Sequence, residues 1–91
     1  MPAAVRDNTA LSRFELDANG VTAVANYRLD GKVMTLTHTE VPPQARHGGI
    51  ASRLIEGALQ TARARGLKII PRCSFVKAYV DQHPEVSDVL A

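Results

Sequence analysis

The chain has 91 residues and a mass of 9.8 kDa, enough for one hydrophobic core but too short for a second domain. Apolar residues make up 45% of the sequence and charged residues 22%, a balance that excludes a disordered or fibrous chain. The formal net charge of +2 is too small for a nucleic-acid-binding surface, and no segment approaches the ~20 apolar residues of a membrane span. We therefore expect one domain over residues 1–91, with neither nucleic acid nor membrane as a partner.

The single cysteine, Cys73, cannot form an intramolecular disulfide, and no apolar leader precedes the first polar residues. These features predict a cytoplasmic chain whose thiol stays reduced. His47 and His83 are too scattered from Cys73 in the sequence to form a metal-binding pattern, and one cysteine argues against structural zinc. The sequence therefore predicts no metal site.

The first half of the chain predicts an antiparallel meander of three strands. Its elements, after a flexible start at 1–9, are a strand over 11–16, a turn at 17–20, a strand over 21–29, a turn at 30–31 and a strand over 32–41. Strand side chains alternate between two faces, so we expect one face of the third strand to carry Met34, Leu36, His38 and Glu40. In the second strand the apolar face carries Val21, Ala23, Ala25 and Tyr27.

The second half predicts a strand–helix–strand unit followed by a shorter helix. Pro42-Pro43 ends the third strand, and the apolar spacing from Ile50 to Ala62 is typical of an amphipathic helix that ends near Arg65. A strand over 67–71 follows, parallel to the third strand, and Ser74 is the expected N-cap of the last helix. The predicted fold class is mixed α/β, with a helical turn as the only further element after His83-Pro84.

A glycine-rich segment, Arg46-His47-Gly48-Gly49, lies where the third strand gives way to the first helix. Adjacent glycines let the main chain approach a ligand closely, and the free N–H groups of a helix N-terminus favour a phosphate or pyrophosphate. The loop matches neither common nucleotide-binding pattern, G-x-x-x-x-G-K-[ST] or G-x-G-x-x-G. From the residues alone, an anion site and a simple connector remain equal alternatives.

Several motifs together give a resemblance. Arg46-x-x-Gly49-x-Ala51 fits the Q/R-x-x-G-x-G/A signature of the GNAT superfamily of acetyl-CoA-dependent N-acetyltransferases. Four further segments occur in the same order as in the small, single-domain GNAT-like family: Thr37-His-Thr-Glu-Val-Pro-Pro43, Ala62-Arg-Ala-Arg-Gly-Leu-Lys68, Ile70-Pro-Arg-Cys-Ser-Phe-Val76 and Tyr79-Val-Asp-Gln-His-Pro-Glu85. The resemblance covers roughly residues 10–90.

The resemblance implies a GNAT-like core that binds acetyl-CoA, or coenzyme A, as a substrate. Arg46, Gly49 and Ala51 would wrap the pyrophosphate, and intervening backbone N–H groups would come from His47, Gly48 and Ile50. The two parallel strands would splay apart at their prolines, and the backbone of Val41 would contact the pantetheine arm.

Four side chains are candidates for catalysis. Cys73 follows the second parallel strand and precedes a helix N-terminus, which favours a thiolate, although a lone cysteine is more often a small buried hydrophobe. His38 is either a base for the acceptor ammonium, a base for Cys73, or a hydrogen-bonded strand histidine. Glu40 is either a base itself, a group that orients His38, or a salt-bridged surface carboxylate.

Tyr79 is the fourth candidate. It aligns with the tyrosine that protonates the departing coenzyme A thiolate in many GNAT enzymes, and its alternative is a core tyrosine. The sequence is thus interpreted as an acetyl-CoA-dependent N-acetyltransferase that acts on an unidentified amine, small molecule or protein, as a monomer or weak homodimer. The alternatives are a module that binds coenzyme A or acyl-CoA with little turnover, and an interaction domain without any cofactor.

Overall fold

A computed structural model describes residues 4–45 and 49–91. The elements are β1 (Arg6–Asn8), β2 (Arg13–Ala18), β3 (Val21–Asp30), β4 (Val33–Glu40), a 3-10 turn (Pro43–Ala45), α1 (Ile50–Ala64), β5 (Lys68–Pro71), α2 (Ser74–Gln82) and a C-terminal 3-10 helix (Pro84–Val89). The strands form one sheet in the order β1-β2-β3-β4-β5, with β5 parallel to β4 and the other pairs antiparallel. The two helices share one core with one face of this sheet, which confirms the mixed α/β class.

The predicted meander is confirmed in outline. Asn19 and Gly20 form the two-residue turn between β2 and β3, with positive φ values of 53° and 78° that a primed hairpin turn requires. The next turn consists of Gly31 and Lys32, one residue later than predicted, because Asp30 still pairs with Val33. The apolar face predicted for β3 is buried at Ala23, Ala25 and Tyr27 and half-buried at Val21.

β4 contains a bulge. Asn26 of β3 pairs with His38, whereas the next residue, Tyr27, pairs with Leu36. Thr37 is therefore the extra residue on β4, and the side-chain alternation is displaced by one position there.

The bulge overturns the predicted common face of Met34, Leu36, His38 and Glu40. Residues directly opposite each other on antiparallel strands point to the same side of the sheet. Thr39 is opposite the fully buried Ala25. Its side chain therefore lies on the same helix-covered side of the sheet as the side chain of Leu36. His38 and Glu40 still share a face with each other, but it is the face that the helices leave open. A period-2 pattern cannot reveal a residue that the strand inserts out of phase.

β1 lies within the stretch where the sequence predicts no regular element. It is a three-residue edge strand without apolar alternation, and side chains hold it in place. The Asp7 carboxylate accepts hydrogen bonds from the Tyr27 hydroxyl (2.7 Å) and from Arg65 (2.9 Å). Burial, followed by the adjacent Asp7 carboxylate, raises the pKa of Tyr27 to about 12. Polar contacts of this kind give no periodic signal in a sequence.

The helices match their predicted positions with one correction. α1 ends at Ala64, and Gly66 follows with a φ of 70°. The Leu67 N–H donates a hydrogen bond to the Ala62 carbonyl at 2.8 Å, which is a common way for a helix to end at a glycine. The N-cap of α2 is Cys73, not Ser74 as predicted, because Cys73 is extended and its carbonyl already accepts the Lys77 N–H at 2.9 Å. Over residues 4–45 and 49–91, no helix is long and apolar enough to span a membrane.

Gly57 allows the start of the chain to pack against α1, since a Cβ added there would lie 2.6 Å from Val5 Cβ. We expect Gly57→Ala to lower the free energy of unfolding by about 1–3 kcal/mol, the usual cost of overpacking, as measured by urea denaturation. In a Val5→Gly background the same change should instead stabilise the protein by about 1 kcal/mol, because alanine is the better helix former. Destabilisation of equal size in both backgrounds would contradict this packing.

Candidate active site

The parallel strands β4 and β5 separate after Leu36, in the middle of β4. Their pairing runs from Val33 with Lys68 to Leu36 with Pro71, and then the N–H groups of Arg72 and Cys73 both donate to the Leu36 carbonyl, at 3.1 and 3.0 Å. β4 continues for four residues along β3, but among the described residues it has no strand partner on its β5 side. The predicted splay of the parallel strands is confirmed.

A cleft of 540 Å³ opens where the strands part. It lies at the end of β4 and the starts of α1 and α2, and it is lined by His38, Thr39, Glu40, Val41, Ala51 and Phe75. Four of the predicted site residues therefore meet in one cleft: His38, Glu40, Val41 and Ala51.

His38 and Glu40 reach this cleft from the helix-free face of the sheet, and both are exposed. Thr39 lies between them on the helix-covered face. The bulge thus divides the cleft into a side with two titratable groups and a side with a threonine hydroxyl. The roles assigned to His38 and Glu40 stay predictions.

Cys73 lies next to the cleft, because it is the N-cap of α2 and the start of α2 borders the cleft. Its half-buried thiol donates to Thr39 Oγ1 at 3.4 Å, and the described residues show no hydrogen bond between Cys73 and His38. Burial raises the pKa of Cys73, but the thiolate form would accept hydrogen bonds from the Thr39 hydroxyl and from backbone groups such as the Val76 and Phe75 N–H. These hydrogen bonds outweigh burial, so the pKa lies below the usual value. The structure therefore favours Thr39 over His38 as the neighbour that tunes the thiol.

The start of α1 faces the same region. Gly49 is its N-cap at φ 74°, and apart from its chain neighbours no atom of the described residues lies within 4 Å of the position that a Cβ would take. Among residues 4–45 and 49–91 no side chain caps the helix, and its first turn has no acidic residue, so no described side chain neutralises the positive end of the helix dipole. Ile50 is buried at the first position. Arg46, His47 and Gly48, the other predicted loop residues, lie outside the described residues.

Tyr79 does not line the cleft. It lines a second cavity of 260 Å³ between α1, α2 and the C-terminal 3-10 helix, where its ring stacks on His83 with centroids 4.1 Å apart. As a proton donor to a thiolate in the first cleft, Tyr79 remains a prediction.

Two cleft residues were not predicted. The sequence does not predict Thr39 as a site residue, because the bulge that places it on the helix-covered side has no signal in the sequence. Phe75 is 38% exposed at the cleft and lies four residues before Tyr79 on α2, so its helical spacing from Tyr79 was a usable signal.

Known proteins match both the sequence and the fold. Residues 13–89 match the family model of the GCN5-related N-acetyltransferases. Protein NATD1 of Mus musculus is 34% identical over 86 residues, covering 91% of this chain and 78% of its own; that of Homo sapiens is also 34% identical, covering 91% and 76%.

The fold has a counterpart among solved structures. The NMR solution structure of a GCN5-like protein from Staphylococcus aureus superposes with a TM-score of 0.69 at 25% identity, covering 98% of this chain and 88% of that one. The matched region includes the parted strands, the cleft and both helices that border it. The chain is a member of the GCN5-related N-acetyltransferase family.

Proposed function

We propose that the chain transfers an acetyl group from acetyl-CoA to an amine within the cleft at the end of β4. The observation that carries this proposal is the parting of β4 and β5 at Leu36, which opens a cleft that reaches Ala51 in the first turn of α1. Acetyl-CoA supplies the acetyl group as an activated thioester. The exposed β4 edge, the cleft volume of 540 Å³ and the space beside Gly49 together fit a long thioester with a pyrophosphate.

The residues present divide into two binding regions. The backbone N–H groups at the start of α1, with Gly49 and Ala51, would hold the pyrophosphate. Val41, which lines the cleft, would contact the pantetheine arm through its backbone. Contributions from Arg46, His47 and Gly48 rest on the resemblance alone.

The acceptor approaches, in this proposal, from the helix-free side of the sheet, because both candidate bases lie there. His38 or Glu40 takes a proton from the acceptor ammonium, and the neutral nitrogen then attacks the acetyl carbonyl. The carbon–sulfur bond breaks as the new amide bond forms, the nitrogen releases its extra proton, and the departing thiolate takes up that proton. We prefer direct transfer in this manner to transfer through Cys73.

A module that binds coenzyme A or acyl-CoA without efficient turnover is the second candidate. The observation that favours it is the exposure of His38 and Glu40, since general bases work best in sites shielded from water. Acetyl transfer to a panel of amines separates the two candidates. In either case we propose a cytoplasmic protein that is a monomer or weak homodimer.

Coenzyme A is expected to stabilise the protein against unfolding by about 2.7 kcal/mol at a concentration 100 times its Kd, as measured by thermal denaturation. Gly49→Asn should abolish this stabilisation, because the new side chain enters the space beside the α1 N-terminus, and asparagine tolerates a φ of 74° better than other residues.

Gly31→Asn is the matched control for this substitution. Gly31 also has a positive φ, 60°, with open space around it, but lies in the β3–β4 turn. Its variant should be stabilised by coenzyme A like the unmodified protein. Full stabilisation of Gly49→Asn would contradict the assignment of the pyrophosphate to α1.

A further inference from the structure

The second cavity, between α1, α2 and the C-terminal 3-10 helix, has no part in the chemistry proposed above. Its volume is 260 Å³, and beside Gln60 and Arg63 three pairs of side chains form its wall. These are an apolar pair, an aromatic pair and a carboxylate pair: Leu59 and Val86, Tyr79 and His83, Glu56 and Glu85.

The aromatic pair presents a hydroxyl group to the cavity. The rings of Tyr79 and His83 are stacked, with an interplanar angle of 19°. Tyr79 is nine-tenths buried, yet its hydroxyl forms no hydrogen bond within residues 4–45 and 49–91 and is not sealed off from solvent. The exposed remainder of this side chain therefore opens on the cavity that it lines. A ligand in the cavity can therefore reach this hydroxyl and donate a hydrogen bond to it in place of water.

The carboxylate pair makes the wall negative. Burial raises the pKa of Tyr79, and the charges of Glu56 and Glu85 raise it further, which indicates that both carboxylates lie near the hydroxyl. Hydrogen bonds from its own backbone N–H and from His83 hold the pKa of Glu85 below its usual value, so Glu85 is ionised at neutral pH. Within the described part of the chain, Glu56 accepts a hydrogen bond only from the neutral amide of Gln60, at 3.3 Å.

The cation on the cavity wall does not offset these charges. Arg63 forms two hydrogen bonds to Asp88, at 3.0 and 2.8 Å, and this ion pair is neutral overall. An anionic ligand would therefore be repelled by the remaining carboxylates. A neutral apolar ligand would supply no positive charge to these carboxylates.

We propose that this cavity binds the ammonium group of a small aliphatic amine. The ammonium would lie between Glu56 and Glu85 against the stacked rings, where carboxylates and aromatic faces both attract a cation, and its carbon chain would cover Leu59 and Val86.

The position of the cavity has a consequence for the acceptor. Phe75 of the cleft and Tyr79 of the cavity are four residues, or about 6 Å, apart along α2. The cavity lies among the helices, whereas the acceptor is proposed to reach the cleft from the helix-free side, so an amine bound in the cavity is a second ligand and not the acceptor.

The test is a titration of the protein with 1,5-diaminopentane in the absence of acetyl-CoA, in which the NMR chemical shifts of the protein report binding. We expect saturable binding, with Kd raised about tenfold in Glu85→Gln and in Glu56→Gln, because each loses one charge-assisted contact. Asp81→Asn, which removes an exposed carboxylate of α2 outside the cavity, should bind as the unmodified protein does. Pentane-1,5-diol, which has the same length without the charge, should not saturate.

Val86→Phe supplies a second variant, since it fills the cavity without a change in charge and should abolish binding. Equal affinity in the glutamine variants and the unmodified protein would overturn the proposal, as would displacement of the diamine by adenosine 3′,5′-bisphosphate, which would assign the cavity to the nucleotide.

Discussion

Replacing His38 by alanine is expected to lower acetyl-transfer turnover at neutral pH by about 10² to 10⁴, the usual contribution of a positioned general base. The reason is its place on the helix-free side of the cleft, where it is exposed to an incoming amine. Steady-state kinetics with a saturating amine would measure the loss as a decrease in kcat.

Two controls separate loss of a base from damage to the strand. Added imidazole should restore part of the turnover of His38→Ala, because the cleft is open enough to admit it. Asn26→Ala, which changes the residue directly opposite His38 on β3, should have little effect. Glu40→Ala tests the rival base in the same assay. If His38→Ala and Glu40→Ala both retain full turnover, neither is the base, and deprotonation falls to water or to the acceptor's own equilibrium.

The elements of this fold that depend on periodic burial could be predicted from the sequence. The apolar stripe of α1, the glycine at its end and the hairpin at Asn19-Gly20 all correspond to local signals. β1 could not be predicted, because its attachment depends on polar contacts between residues distant in the sequence, such as Asp7 with Arg65. Short edge strands of this kind give no apolar pattern.

The candidate site, like the fold, could be predicted only in part. His38, Glu40, Val41 and Ala51 were placed by motif and do meet in one cleft. The neighbour of the Cys73 thiol could not be predicted, because one inserted residue, Thr37, exchanges the faces of His38 and Thr39. A bulge depends on pairing between strands, which a single strand's composition does not encode.

Cys73→Ala is expected to keep substantial acetyltransferase activity. A thioester on Cys73 would gain little, since the donor is already a thioester, and transfer would then need a second attack on the same acetyl carbon. Mass spectrometry of the protein after incubation with acetyl-CoA alone should accordingly show no added acetyl group. A covalent route predicts the reverse: one acetyl group on Cys73, and loss of both this adduct and turnover in Cys73→Ala.

Thr39→Val tests whether the thiol is tuned as the geometry indicates. The Thr39 hydroxyl stabilises the thiolate, so its removal should raise the pKa of Cys73 and shift the pH dependence of alkylation by iodoacetamide to higher pH. The alkylation rate at neutral pH should fall, because the thiolate fraction at a fixed pH falls as the pKa rises. If direct transfer is correct, turnover should not follow this decrease. A turnover that falls in proportion to the alkylation rate would instead identify the Cys73 thiolate as the nucleophile.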